Sequence, residues 1–110
     1  MMRIRTRVTD SDISKAFSAY VERRLRFALG RFADRVGKVN VRLKADGPEG
    51  HHCHMSAQIL PYGQVMASDN DFDLLAVIDR TAGKLGQQFG RALERMRDRR
   101  LGPQSVRLAA

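Results

Sequence analysis

Residues 38–68 read KVNVRLKADGPEGHHCHMSAQILPYGQVMAS, and three of the predicted strands lie in this stretch. In its first seven residues, Val39, Val41 and Leu43 alternate with polar and basic side chains. Apolar residues at every second position are typical of a strand that buries one face and exposes the other. The pattern therefore predicts a strand over residues 38–44.

The rest of this stretch predicts two more strands. The Asp-Gly-Pro-Glu-Gly sequence at 46–50 is a loop signal, because Gly, Pro and Asp favour turn conformations. Residues 51–60 and 64–68 then flank a Pro-Tyr-Gly turn at 61–63. The three strands should form an antiparallel meander. The side chains expected to face its core are Cys53, Met55, Ala57, Ile59, Val65 and Ala67.

Before this region, the chain predicts one strand and one helix. Residues 3–8 alternate Arg with Ile, Thr and Val, which indicates a half-buried strand. Asp10, Ser11 and Asp12 are capping and first-turn residues, so a helix over residues 12–33 should follow. Its apolar positions recur at helical spacing: Ile13, Phe17, Tyr20, Val21, Leu25, Ala28, Leu29 and Phe32.

After the meander, the chain predicts one long helix. Residues 68–71, Ser-Asp-Asn-Asp, read as a cluster of capping residues, and the helix should stop at Gly102-Pro103. At about 1.5 Å per residue the helix would be roughly 45 Å long, so its distal end should project beyond the sheet. Its apolar positions step by threes and fours: Leu75, Ile78, Ala82, Leu85, Phe89, Leu93 and Met96.

The element order is β-α-β-β-β-α, which predicts an α+β domain. A strand, crossover helix and strand should pair in parallel before the antiparallel meander, giving a four-stranded mixed sheet with two helices packed on one face. A chain of 110 residues has room for one domain. We expect that domain over residues 1–101, followed by a short flexible tail over residues 102–110.

Charge is the strongest signal in the composition. Twenty Lys and Arg, of which sixteen are Arg, stand against twelve Asp and Glu, giving a net charge of +8. Arg binds phosphate through a planar fork and also stacks on bases, so the composition favours a nucleic-acid partner. The charge is unevenly placed, because residues 45–79 contain six acidic side chains and no Lys or Arg.

Both predicted helices carry rows of cations. These are Arg23, Arg24, Arg26 and Arg31 on the first, and Arg80, Lys84, Arg91 and Arg95 on the second. Together the two rows should form a basic groove or ridge that fits a phosphate backbone, and we favour this hypothesis over a merely solvated helix face.

A second basic surface is expected on the sheet face that the helices leave open, and its cations are Arg3, Arg5, Arg7, Arg42 and Lys44. The favoured interpretation there is an ordinary polar face of an open sheet. Phe17, Phe32, Phe72 and Phe89 fall mostly at core positions of the helices, so no row of exposed rings is predicted and sequence-specific readout of single strands is disfavoured.

Metal binding and catalysis are not predicted. His51, His52, Cys53 and His54 are consecutive, but neighbours in a strand point to opposite faces and leave two ligands per side, too few for a closed zinc site. No nucleophile with its base and no paired carboxylates appear, so neither an enzyme nor a cofactor is expected. The single cysteine and the lack of a long apolar run suggest a soluble cytoplasmic protein without membrane contact.

The sequence resembles the ribosome hibernation-promoting factor family, which includes the ribosome-associated inhibitor called protein Y. The resemblance covers about residues 2–100 and is strongest at DLLAVID, residues 73–79, which is similar to the family's Asp-Met-Tyr-Ala-Ala-Ile-Asp segment. The other residues that carry it are Tyr20, Val21, Arg23, Arg24 and Leu25, the stretch 32–36, and Lys84, Leu85, Arg91 and Arg95.

This resemblance implies a short-form stress factor that binds the 30S ribosomal subunit and its 16S rRNA in the channel for messenger and transfer RNA, blocking translation in resting or stationary-phase cells. Lys84, Arg91 and Arg95 match basic positions of the family, whereas Gln87 stands where a cation is common and Leu75 where Tyr is usual. The resemblance also implies a form without the dimerisation domain of long members. No small-molecule substrate is implied.

Three alternatives remain. A double-stranded RNA-binding module shares the sheet and basic helices, but its element order usually starts with a helix. A protein-binding regulator of transcription would use the acidic segment as its contact surface. An RNA-processing enzyme is the third and the least favoured.

Overall fold

The structure is a computed structural model that describes the backbone of residues 3–8, 15–45 and 47–109, and the side chains of residues 3–6, 17–44, 47–48 and 50–98. Its elements are β1 (Arg3–Val8), α1 (Lys15–Leu29), a 3₁₀ turn (Gly30–Arg35), β2 (Val36–Ala45), a short 3₁₀ turn (Gly47–Glu49), β3 (His51–Ile59), β4 (Gln64–Asp71) and α2 (Leu74–Ala109). The predicted β-α-β-β-β-α order is confirmed. The predicted helix cap at residues 10–12 lies outside the described residues.

The four strands form one mixed sheet in the order β1-β2-β3-β4. β1 pairs in parallel with β2, and Arg3 lies opposite Lys38. The β2–β3 and β3–β4 pairs are antiparallel. A parallel pair needs a crossover connection, and α1 supplies it between β1 and β2. The predicted α+β architecture with a mixed sheet is therefore confirmed.

The core lies between the inner face of the sheet and the two helices. Of the six predicted inner positions on β3 and β4, five are buried and Ala67 is partly buried against them. The helices contribute Val21, Leu25, Leu29, Val77, Ile78, Ala82, Leu85, Phe89 and Ala92. Leu75 is 42% exposed, so its predicted core position is wrong. Leu74 and Val77 face the core in its place because the apolar stripe begins one residue earlier.

Residues 68–71 are strand and not a helix cap, which corrects the sequence prediction. They pair with β3 as far as Asp71, which lies opposite His51. The residue that caps α2 is Asp73, whose Oδ1 accepts hydrogen bonds from the backbone N–H groups of Leu75 and Ala76 at 3.0 and 3.3 Å. A carboxylate in this position satisfies donors that the first helical turn leaves free.

The first helix ends earlier than predicted. The α-helical part stops at Leu29, and Phe32 has torsion angles of −109° and 16°, which lie outside the α-helical region. This turn places the Phe32 ring 5.3 Å from that of Phe89, centroid to centroid, with 26° between the ring planes. The chain thus forms a stacked ring contact with α2 in the segment where the sequence predicts one more turn of α-helix.

The second helix ends later than predicted. Its backbone continues through Gly102-Pro103 to Ala109, so the predicted stop is wrong. A proline removes one backbone donor and costs a helix about 3 kcal/mol, but Leu and Arg on both sides favour helix. At about 1.5 Å per residue, α2 accounts for most of the molecule's 57 Å long axis. The assignment of residues 102–110 to a separate tail stays a prediction.

Candidate nucleic-acid interface

The acidic segment lies against the N-terminal half of α2. Lys84 Nζ lies 3.0 Å from Asp69 Oδ2, and Arg80 Nε lies 3.5 Å from the same oxygen. Arg80 also forms an ion pair and hydrogen bond with Asp71. The hydrogen bond from Lys84 lowers the pKa of Asp69, as do the Asn70 backbone N–H and the charge of Arg80. The acidic residues of β4 therefore neutralise two of the predicted RNA-binding cations.

A third acidic residue connects the two helices. Asp79 of α2 accepts a 2.5 Å hydrogen bond from the Tyr20 hydroxyl and lies 2.9 Å from Arg24 Nε. The bond to Asp79 raises the pKa of Tyr20, with partial burial and the carboxylate charge acting in the same direction. Asp69, Asp71 and Asp79, three of the six acidic residues of this segment, are therefore engaged in contacts within the fold.

The eight predicted cations thus fall into two groups. Arg24, Arg26, Arg80 and Lys84 are paired, Arg26 with Glu22 at 2.9 Å on the same helix. Within residues 3–6, 17–44 and 50–98, no carboxylate lies within 4 Å of the other four, which we call the unpaired cations: Arg23, Arg31, Arg91 and Arg95. The side chains of all four are exposed.

The two helices meet in a groove that the predicted rows line only in part. Arg24 of α1 and Arg31 of the following 3₁₀ turn line this groove, together with Gly83, Gly86 and Gln87 of α2. None of the four predicted cations of α2 does so. At helical spacing, Arg80, Lys84, Arg91 and Arg95 fall within about 60° of one another, on the flank of α2 from which Arg80 and Lys84 reach Asp69 of β4. The α2 row is therefore a ridge beside the groove.

Aromatic side chains are more exposed than the sequence predicts. Phe89 is buried and Phe32 partly buried, as expected for core positions, but Phe72 is 75% exposed. Phe27 and Tyr62, which the sequence analysis did not single out, are 80% and 72% exposed. The available signal was the Arg-rich context of Phe27 in the helix segment RRLRF, away from the apolar stripe.

The outer face of the sheet carries the second basic surface as predicted. Arg3, Arg5, Arg42 and Lys44 are exposed on β1 and β2, and the exposed side chain of Lys38 lies on the same face. The side chain of Arg7 lies outside the described residues. Opposite Arg42 and Lys44, the register places His54 and His52. This face therefore carries Arg and Lys side chains on β1 and β2 and histidines on β3.

The histidine and cysteine cluster divides between the two sheet faces as predicted. His52 Nδ1 lies 2.9 Å from Asn70 Oδ1 on the outer face, whereas Cys53 is fully buried in the core. Burial raises the pKa of the Cys53 thiol to about 11, which keeps it protonated and unreactive at neutral pH. No grouping of three or more His, Cys, Asp or Glu side chains in the described part of the chain could hold a metal ion.

The comparisons with known proteins agree with this fold. The N-terminal domain of Protein Y from Thermus thermophilus matches with 27% identity and a TM-score of 0.65, over 82% of this chain and 93% of that chain. A ribosomal subunit interface protein from Coxiella burnetii has a TM-score of 0.71 over 86% of this chain and 99% of that chain, and at 18% identity it supports the fold alone. No curated protein sequence matches significantly.

A search of the described helices finds none that is long and apolar enough to cross a bilayer. The family model described as "Sigma 54 modulation protein / S30EA ribosomal protein" matches residues 4–97, which is most of the chain. The chain therefore belongs to this family of ribosome-associated hibernation factors, proteins that act by binding and not by catalysis, as the sequence resemblance predicts.

Proposed function

We propose that this protein inhibits translation in the cytoplasm by binding 16S rRNA of the 30S subunit, in the channel that messenger and transfer RNA would otherwise occupy. Occupying this channel is then sufficient to inhibit translation, and no chemical reaction is needed. The groups that bind RNA are the cations of the helix layer, which contact backbone phosphates and do not read bases. The Thermus thermophilus neighbour, a Protein Y domain at 27% identity, supports this assignment through the shared family.

The observation that carries the proposal is the set of unpaired cations. A guanidinium that already holds a carboxylate must exchange that partner for a phosphate, so its net gain on binding RNA is small. Arg23, Arg31, Arg91 and Arg95 have no carboxylate to exchange among the described side chains. The guanidinium groups of Arg23 and Arg31 lie over the rings of Tyr20 and Phe32, at 6.0 and 4.7 Å from the ring centroids. We therefore expect these four to provide most of the electrostatic affinity, and the paired cations Arg24, Arg26, Arg80 and Lys84 to contribute less.

Salt dependence measures the number of phosphate contacts directly. The logarithm of the binding constant falls by about 0.7 to 0.9 per contact for each tenfold rise in salt. Four contacts therefore predict a log-log slope of roughly −3 to −4 for binding to 30S subunits. A protein that used all eight helix cations would have a slope near twice this value.

Two double variants on α2 test the assignment. Arg91→Gln with Arg95→Gln removes two unpaired cations, and Arg80→Gln with Lys84→Gln removes two paired ones, at the same change in net charge. We expect the first variant to flatten the salt slope by roughly 1.4 to 1.8 and to lose at least tenfold in affinity for 30S subunits at low salt. The second should flatten the slope by less than one. Co-sedimentation over a salt series measures both quantities.

Equal losses from the two variants would contradict the division into paired and unpaired cations. Wild-type protein that fails to bind 30S subunits even at low salt would overturn the proposal itself. Generic duplex RNA serves as competitor, because a double-stranded RNA-binding module would bind such a duplex as tightly as the ribosome. We expect the duplex to compete weakly.

A further inference from the structure

The groove between α1 and α2, with a volume of about 360 Å³, has the chemistry of a binding site. The helices approach closely because Gly86 has no side chain: a Cβ there would lie 2.9 Å from the Ala28 carbonyl oxygen. Arg24, Arg31 and Gln87 also line the groove. It therefore offers guanidinium and amide groups beside a shallow, open surface.

Phe27 forms one wall of this groove and is not part of the core. Its ring is 80% exposed, whereas Leu25 and Leu29, on the same helix, are fully buried. The Arg24 Cζ lies 5.4 Å from the ring centroid, so a cation–π contact covers part of one ring face. The exposed fraction shows that most of the ring surface remains available to a ligand.

A larger cleft of about 750 Å³ adjoins the groove at Arg31, which lines both. Its exposed aromatic residue is Tyr62, in the turn between β3 and β4. Arg35 and Arg97 add two cations and Glu94 one carboxylate, and the Nε of Arg35 donates to the Leu60 carbonyl oxygen. The apolar side chains in the lining are Phe32, Pro61, Leu93 and Met96. Groove and cleft are thus each lined by an exposed ring and by Arg31. The Arg31 guanidinium lies over the Phe32 ring, 4.7 Å from its centroid, and has no carboxylate within 4 Å among the described side chains.

This combination fits an unpaired nucleotide better than other anionic ligands. A phosphate alone would use the guanidinium groups but gain nothing from the rings. Duplex RNA presents phosphates but keeps its base faces stacked inside the helix. Unpaired bases have free faces, and stacking of one base on an aromatic side chain contributes about tenfold or more in affinity without requiring a particular base.

We propose that the groove and cleft bind unpaired RNA nucleotides, with bases stacked on Phe27 and Tyr62 and a phosphate held by Arg31. The inference rests on the proposed function, since it specifies the kind of RNA that the helix layer contacts. It adds a contact that is insensitive to salt to the phosphate contacts described above.

The test compares Phe27→Leu and Tyr62→Leu with Phe72→Leu, a control at an equally exposed ring that lines neither groove nor cleft. The ligands are 30S subunits and an unstructured twelve-nucleotide RNA, each over a salt series. We expect each of the first two variants to lose about tenfold in affinity for both ligands with an unchanged salt slope. The control should bind as the wild type does.

Fluorescence tests the contact at position 27 directly. The chain has no Trp, so Phe27→Trp introduces a unique fluorophore. Its emission should be quenched when the oligonucleotide binds, and that of Phe72→Trp should not change. Wild-type affinity of both leucine variants for 30S subunits, with no quenching, would overturn the stacking inference while the proposed function stands. Quenched binding to the oligonucleotide without binding to 30S subunits would overturn the proposed function and support the stacking.

Discussion

At the scale of single residues, Asp69 determines how much of the positive charge of α2 is available to a ligand. Its carboxylate holds both Arg80 and Lys84, and the hydrogen bond from Lys84 lowers its pKa. A group whose pKa is lower in the folded than in the unfolded state stabilises the fold above its unfolded pKa, about 3.9, and this stabilisation is lost as the pH falls through the folded value.

Asp69→Asn should therefore change stability and RNA binding in opposite directions. At pH 7 we expect a loss of about 0.2 to 1 kcal/mol in the free energy of unfolding, since the partners are half exposed. The loss should shrink below pH 4 and vanish once the wild-type carboxyl is protonated. Affinity for 30S subunits should rise slightly because Lys84 is released, whereas Arg80 keeps its ion pair with Asp71. Urea unfolding at pH 7 and pH 2.5 checks the first effect, and equal stability at pH 7 would contradict it.

At the scale of elements, the strands follow from local patterns and the contacts between elements do not. Alternation predicted the inner residues of β3 and β4 because a strand's period is independent of its neighbours. The Ser-Asp-Asn-Asp stretch was misread as a helix cap because Asp and Asn favour caps and turns locally. Its pairing with β3 and the ion pair between Asp69 and Lys84 depend on the packed fold, which no local pattern encodes.

The α1–α2 contact predicts opposite effects for two glycines of the same helix. A Cβ at Gly86 would lie 2.9 Å from the backbone oxygen of Ala28, so Gly86→Ala should push the helices apart and destabilise the fold by about 1 to 3 kcal/mol. A Cβ at Gly83 would meet no atom within 4 Å, so Gly83→Ala should stabilise α2 by up to about 1 kcal/mol through helix propensity. Thermal unfolding of both variants measures the difference. Equal stability would show that the helices adjust freely at Gly86.

At the scale of the whole molecule, the sequence predicted that charge is polarised but not how the fold uses that polarity. The acidic segment neutralises the first half of α2, where Arg80 and Lys84 lie, and leaves Arg91 and Arg95 without partners among the described side chains. Positive charge thus remains on two opposite surfaces, the helix layer and the outer sheet face.

The core separates these two surfaces. The distance between them predicts which surface provides the affinity for 30S subunits at physiological salt. Helices pack on a sheet at about the 10 Å spacing of stacked layers, and charges more than about 8 Å apart are largely screened at physiological salt. Arg42→Gln with Lys44→Gln should therefore weaken binding to 30S subunits at 20 mM salt by a few-fold and leave it unchanged at 150 mM. Arg91→Gln with Arg95→Gln should still weaken binding measurably at 150 mM, because direct phosphate contacts are lost. If the sheet-face variant loses as much as the α2 variant at 150 mM, the outer sheet face contacts RNA directly and the helix layer is not the sole interface.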